Sequence, residues 1–162
     1  MNENIQKSRP QNLQKQLYGA SFCILAARFN GEIVERLAEG AHAALLASGV
    51  QQSAIDLFHV AGAFELPLAA QRVAATARYD GIVVLGAVIR GGTPHFEFIS
   101  GECMAGLSRV MLDSGIPLGN GVLTVDTLEQ ALDRAGGTEG NKGEEAALAA
   151  IELVNLLREL GA

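Results

Sequence analysis

The sequence predicts a three-layer α/β/α sandwich around a four-stranded parallel sheet, and three observations carry that expectation. Short apolar runs alternate with longer segments of helical periodicity from residue 20 onward. One run, Gly81 to Ile89, is nearly all apolar, as suits a central parallel strand covered on both faces. Glycine-rich polar stretches follow the apolar runs, and in such folds ligands bind beyond the carboxyl ends of the strands.

The elements follow in order. Phe22 to Ala26 reads as a buried strand, stopped by Asn30-Gly31. Residues 32–47 place Ile33, Leu37, Ala41, Ala44 and Leu45 at helical spacing, and Gly49 closes that helix. Ile55 to Val60 is the second strand and Glu65 to Arg78 the second helix. After the Gly81–Ile89 strand, residues 94–113 form a helix stopped by Ser114-Gly115. A fourth strand lies within Ile116 to Val125, interrupted by Gly119 and Gly121, and a short helix spans Thr127 to Arg134. A loop over residues 136–141 leads to an amphipathic helix from about Lys142 to Leu160. Strand–helix alternation implies right-handed crossovers and a parallel sheet. Residues 1–17 are polar and read as a disordered tail, and residues 18–162 as one domain.

Composition narrows the function. Hydrophobic residues make up 49% of the chain and aromatics 5%, so the interior is aliphatic and alanine-rich. A net charge of -6 speaks against broad affinity for nucleic acid or anionic lipid. Cys23 and Cys103 are far apart in apolar segments, which excludes a zinc ribbon and gives no sign of a disulfide framework; both read as small core hydrophobes. The sequence has no signal peptide and no apolar run of membrane-spanning length, so a soluble, cytoplasmic protein is expected.

The segment Gly86 to Thr93 matches a nucleotide-binding loop except that glycine stands in place of its lysine. Because Gly86 also lies inside the apolar run, nucleoside triphosphate binding is rejected. Gly91-Gly92 still lets backbone approach a ligand, and Thr93 is positioned to cap a helix whose first residue is Pro94. That arrangement is either a single-phosphate site or a plain capped turn. His95 follows in the first helical turn, either as a proton carrier or as a surface residue. His42 lies mid-helix and His59 in a strand, both expected to be structural. Arg134 either complements the dipole of its own helix end or supplies the cation that Gly92-Thr93 lacks.

Taken together, four fragments resemble the 6,7-dimethyl-8-ribityllumazine synthase family, in order and over about Tyr18 to Leu160. They are Ala27-Arg28-Phe29-Asn30, Gly62-Ala63-Phe64-Glu65-Leu66-Pro67, Gly86-x-Val88-Ile89-Arg90-Gly91-x-Thr93-x-His95 and Arg134-Ala-Gly-x-x-x-Gly140-Asn141-Lys142-Gly143. The resemblance implies a flavodoxin-like fold and a transferase of riboflavin biosynthesis. It would condense 5-amino-6-(D-ribitylamino)uracil with 3,4-dihydroxy-2-butanone 4-phosphate, without metal or organic cofactor.

By the same resemblance, Phe29 stacks on the pyrimidine, and Asn30, Ala63, Phe64 and Glu65 hold the ribityl chain and nearby ring. Core packing is the alternative for Phe29. Val88 and Ile89 wall the heterocycle, Gly92, Thr93 and Arg134 take the phosphate, and His95 moves protons. Lys142 matches a family position in the same region, and reads equally well as an exposed helix-start lysine. Asn120 stands where many relatives carry an aromatic reaching the pyrimidine from a neighbouring subunit, and Asp133 where glutamate is frequent. The resemblance also implies a homopentamer with active sites between subunits, an icosahedral 60-subunit shell, and riboflavin synthase as a partner. A flavin-storage relative, a purely structural shell protein and an archaeal-type riboflavin synthase are the competing readings.

Overall fold

A computed structural model describes Leu17 and residues 19–161. Four parallel strands form the sheet: β1 (Phe22–Ala27), β2 (Ile55–Val60), β3 (Gly81–Ile89) and β4 (Leu118–Val125), in the order β2-β1-β3-β4. The helices are α1 (Gly31–Ala47), α2 (Leu66–Ala75), α3 (His95–Ser114), α4 (Leu128–Arg134) and α5 (Lys142–Glu159). This is the expected α/β/α sandwich with the flavodoxin-like strand order. Strand order reverses between β1 and β3, the switch point where open parallel sheets form their crevice.

The alternation of side chains along each strand splits the core in two. Phe22, Ile24 and Ala26 of β1 join Val83, Leu85 and Ala87 of β3 beneath the buried stripes of α1 and α5. Cys23 and Leu25 join Ile82 and Val84 on the other face, under Leu66 and Ala70 of α2 and Cys103, Leu107 and Val110 of α3. β1 and most of β3 are buried throughout, which explains why their sequences are uniformly apolar. The end of α1 is closed as expected: Gly49 adopts φ 97°, and the Val50 amide donates back to the Leu45 carbonyl at 3.1 Å.

Four features differ from the sequence expectation. Gly119 and Gly121 do not interrupt β4; the strand runs through both. They are small because α5 crosses close by: a Cβ on Gly119 would overlap the carbonyl oxygen of Ala146. The second helix begins with a 3₁₀ turn at Ala63–Glu65 and stops at Ala75, with Ala77 at φ 54°, rather than running from Glu65 to Arg78. The segment after Arg134 is not an open loop but a small antiparallel pair, β5 (Ala135–Gly137) with β6 (Gly140–Asn141). Leu17, placed in the tail by sequence, is fully buried in the core; the rest of that tail lies outside the described residues.

Asn141 shows how β6 is joined to the layer it leaves. Its Oδ1 caps α5 by accepting from the amides of Gly143 and Glu144 at 2.9 and 3.1 Å, while its Nδ2 donates to the Arg36 carbonyl of α1 at 2.9 Å. A Cβ on Gly143 would overlap the Leu37 backbone, so α5 can begin here only with glycine. The Arg134–Gly143 segment is thereby fixed against α1, on the layer opposite α2 and α3.

Candidate active site

The segments that leave β1, β2 and β3 meet in one cavity of about 580 Å³ at the carboxyl end of the sheet. That size falls within the roughly 300–1,000 Å³ of small-molecule sites. Its walls include Phe29, Ala63, Phe64, Glu65, Val88, Ile89, Thr93 and His95, all singled out by sequence.

Local structure explains the placement of each. The Arg28 and Phe29 amides donate to the carbonyls of Val60 and Ala61 at 2.8 and 3.0 Å, extending the β1–β2 ladder beyond the strands. Asn30 then takes a left-handed conformation, φ 55° and ψ 43°, which asparagine tolerates better than most residues. Its Nδ2 donates to the Ala87 carbonyl of β3 at 2.7 Å. Asn30 therefore ties the ends of β1 and β3 together, and the turn it makes leaves Phe29 72% exposed rather than packed in the core. Glu65 closes the 3₁₀ turn, its Oε2 accepting from the Gly62 amide at 3.0 Å.

Past β3 the chain runs through Gly91 and Gly92 into α3. The helix begins at His95, with Pro94 in the cap position and no side-chain hydrogen bond capping it. Thr93 is thus not the helix cap expected from sequence; it is exposed and borders the cavity. A side chain at Gly91 or Gly92 would meet only open space, so the backbone here is accessible to a ligand. Gly92 itself does not line the cavity, although both its neighbours do.

Three residues singled out by sequence stand elsewhere in the chain. Arg134 ends α4, whose Ala131 belongs to the core cluster on the α1/α5 side of the sheet, and its Nη1 donates to the Gln130 carbonyl at 3.1 Å. Lys142 begins α5 and pairs with Glu145 at 2.8 Å. Asn120 is an exposed residue of β4, its Nδ2 directed to the Met104 sulfur at 3.0 Å. His42 and His59 line a separate groove between α1 and β2.

Four wall residues lie outside the sequence expectation, Ala61, Ala87, Phe96 and Ile99. Ile99 was findable, since it lies four residues after His95 and so shares its helix face. Phe96 is held by a contact sequence cannot show: the Arg90 guanidinium lies 4.3 Å from its ring centroid.

Desolvation pushes the Cys23 thiol up to about 12 and that of Cys103 to about 11, so neither is a thiolate nucleophile near neutral pH. Among the described residues no group of three or more His, Cys, Asp or Glu side chains could hold a metal, and no helix is long and apolar enough to cross a membrane.

The fold and cavity define a flavodoxin-like α/β protein with a small-molecule site at its topological switch point. Residues 19–158 match the family model of 6,7-dimethyl-8-ribityllumazine synthase. A relative from Halorhodospira halophila bearing that name is 52% identical over 146 residues, covering 90% of this chain and 94% of its own. The chain belongs to the 6,7-dimethyl-8-ribityllumazine synthase family, transferases that form their namesake compound in riboflavin biosynthesis.

Proposed function

We propose that the cavity condenses 5-amino-6-(D-ribitylamino)uracil with 3,4-dihydroxy-2-butanone 4-phosphate, and that the site is completed by a second copy of the chain. The observation that carries this reading is the convergence of Phe29, Ala63, Phe64, Glu65, Val88, Ile89, Thr93 and His95 on one cavity. Phe29 presents an aromatic face for stacking the pyrimidine, Val88 and Ile89 give apolar wall, and Glu65 and the backbone around Ala63 and Phe64 accept and donate to the ribityl hydroxyls. Asn30 acts through its bond to Ala87, holding Phe29 at the cavity.

In the reaction, the 5-amino nitrogen attacks the ketone carbon and one water leaves as the imine forms. Loss of the proton at C3 and of inorganic phosphate from C4 then leaves an enol that ketonises, the ribityl-bearing nitrogen attacks this new carbonyl, and a second water leaves as the ring closes. His95, at the cavity wall, accepts and returns the protons these steps move. Holding both substrates together contributes to the rate, since orientation supplies about 7–11 kcal/mol in favourable intramolecular reactions.

A phosphate dianion at Gly92-Thr93 requires a cation, and the nearby Arg90 is already bound to Glu97 and Asp126. Arg134 is the cation of choice for a forked phosphate contact, and its place in the α1/α5 layer favours delivery from a neighbouring copy. Lys142 and Asn120 reach the same shared site from that side or remain surface residues. Exposed apolar side chains on α3, Phe98 at 68% and Leu112 at 77%, support burial between copies. The assembly is a pentamer, closing into an icosahedral shell of 60 copies that works in the cytoplasm and is open to association with riboflavin synthase.

Incubating the protein with both substrates tests the activity. The result expected is growth of lumazine absorbance and fluorescence with release of one phosphate per product. No product at substrate saturation would overturn the reading.

A further inference from the structure

Arg90 is a charged residue beside the cavity that the reaction above does not use. It follows β3, and its amide donates to the Val125 carbonyl at the end of β4 at 2.9 Å. Its side chain makes three further contacts. Nε donates to Asp126 Oδ1 at 2.8 Å, Nη1 donates to Glu97 Oε1 in the first turn of α3, and the guanidinium lies over the Phe96 ring. Asp126 is itself fixed, its amide donating to Gln130 Oε1 of α4 at 2.8 Å. His95 sits between these anchors, one residue from Phe96 and two from Glu97.

We infer that Arg90 is a positioning residue for this reaction: it fastens the first turn of α3 to the end of β4 and so fixes His95 and Phe96 at the cavity. The glycines at 91 and 92 give the connecting segment little stiffness of its own, and no side-chain bond caps the helix start. Among the described residues, the side-chain hydrogen bonds that cross this segment are those of Arg90 to Glu97 and Asp126. The hydrogen bond to Glu97, then that to Asp126, raises the Arg90 pKa, and the bond to Arg90 lowers that of Glu97, so each of this pair favours the charged form of the other. The inference rests on the reading of His95 as the proton carrier.

A double-mutant cycle tests it, with kcat and the KM of each substrate measured for Arg90→Ala, His95→Ala and the double variant. Arg90→Ala is expected to lower kcat by about 10- to 100-fold, the loss typical of a misplaced catalytic group, with KM values little changed. In the His95→Ala background the same substitution should change kcat by less than about twofold, because the group it positions is already gone. Arg90→Lys keeps the charge but cannot span both carboxylates, and should stay well below the parent. If Arg90→Ala does not fold, Asp126→Ala, which removes one anchor, takes its place in the cycle. Equal losses of kcat in both backgrounds overturn the inference while leaving His95 in its role. A raised KM for the butanone phosphate with unchanged kcat also overturns it, by making Arg90 a phosphate ligand. An unchanged kcat in His95→Ala alone removes the proton carrier, and the inference with it.

Discussion

Arg134 makes no ion pair among the described residues; its one side-chain bond is to a carbonyl of its own helix. That leaves most of a planar five-donor group available to an anion. Charge-assisted bonds are roughly twice as strong as neutral ones, so removing this group should cost the phosphate-bearing substrate most. Arg134→Ala is expected to weaken the butanone phosphate far more than the ribitylaminouracil, and Arg134→Lys to recover only part of the loss. A role confined to the helix end predicts instead a stability change of about 0.3–1 kcal/mol without selectivity between substrates. Steady-state kinetics with each substrate varied separately decides between them. For His95, alanine should lower turnover by about 10²–10⁴ at saturating substrates while leaving the thermal midpoint nearly unchanged. At this scale the sequence was informative about which residues meet. Residue types at strand ends marked Phe29, Glu65 and His95, whose positions follow from local chain geometry. It did not show that Asn30 is engaged by Ala87, or that Thr93 leaves the helix uncapped, because both depend on where a neighbouring strand or turn comes to lie.

The elements themselves were legible wherever hydrophobic periodicity was strong. β2 and β3 have the predicted bounds: β3 is marked by the composition of a buried parallel strand, whereas β2 is an edge strand whose apolar Leu57 and Phe58 are exposed. The glycines were not legible. Gly119 reads as a strand breaker in sequence, yet its role is set by α5, which comes from residues far along the chain. Gly119→Ala should therefore destabilise by overpacking, about 1–3 kcal/mol or more because backbone is the obstacle, measured by urea denaturation. The β5–β6 pair was also hidden, its few residues being too short for any periodic signal.

The β1 layer yields a pH prediction as well. Burial holds Cys23 at about 12 against an ordinary 9.0, and burial, then the bond to Asp56, holds Tyr79 at about 12 against 10.0. Below pH 9 both groups are protonated in folded and unfolded chains alike. Between 9 and 12 the unfolded chain loses protons that the folded one retains, so stability falls as pH rises through that window. Urea midpoints should be level from pH 7 to 8.5 and drop by pH 10.5, and Cys23→Ala should flatten part of the drop.

At the scale of the whole molecule, the division of the site is the main consequence of the fold. The helix layer carrying Arg134 and Lys142 is opposite the layer that, with the strand ends, forms the cavity. Sequence offered Arg134 as one of two alternatives, the cation that Gly92-Thr93 lacks, and Lys142 by family resemblance; neither lines the cavity of its own chain. A heterologous contact repeated around a ring would unite the two halves, each interface pairing one copy's cavity with the next copy's arginine. The measurement that bears most directly on this is complementation between two inactive variants. His95→Ala and Arg134→Ala chains are denatured together in equal amounts, reassembled, and assayed for lumazine formation. With a shared site, random mixing gives about one interface in four with both native residues, so about a quarter of the parent activity should return. A mixture no more active than the two variants assayed apart would place both residues in the site of one chain and contradict the account.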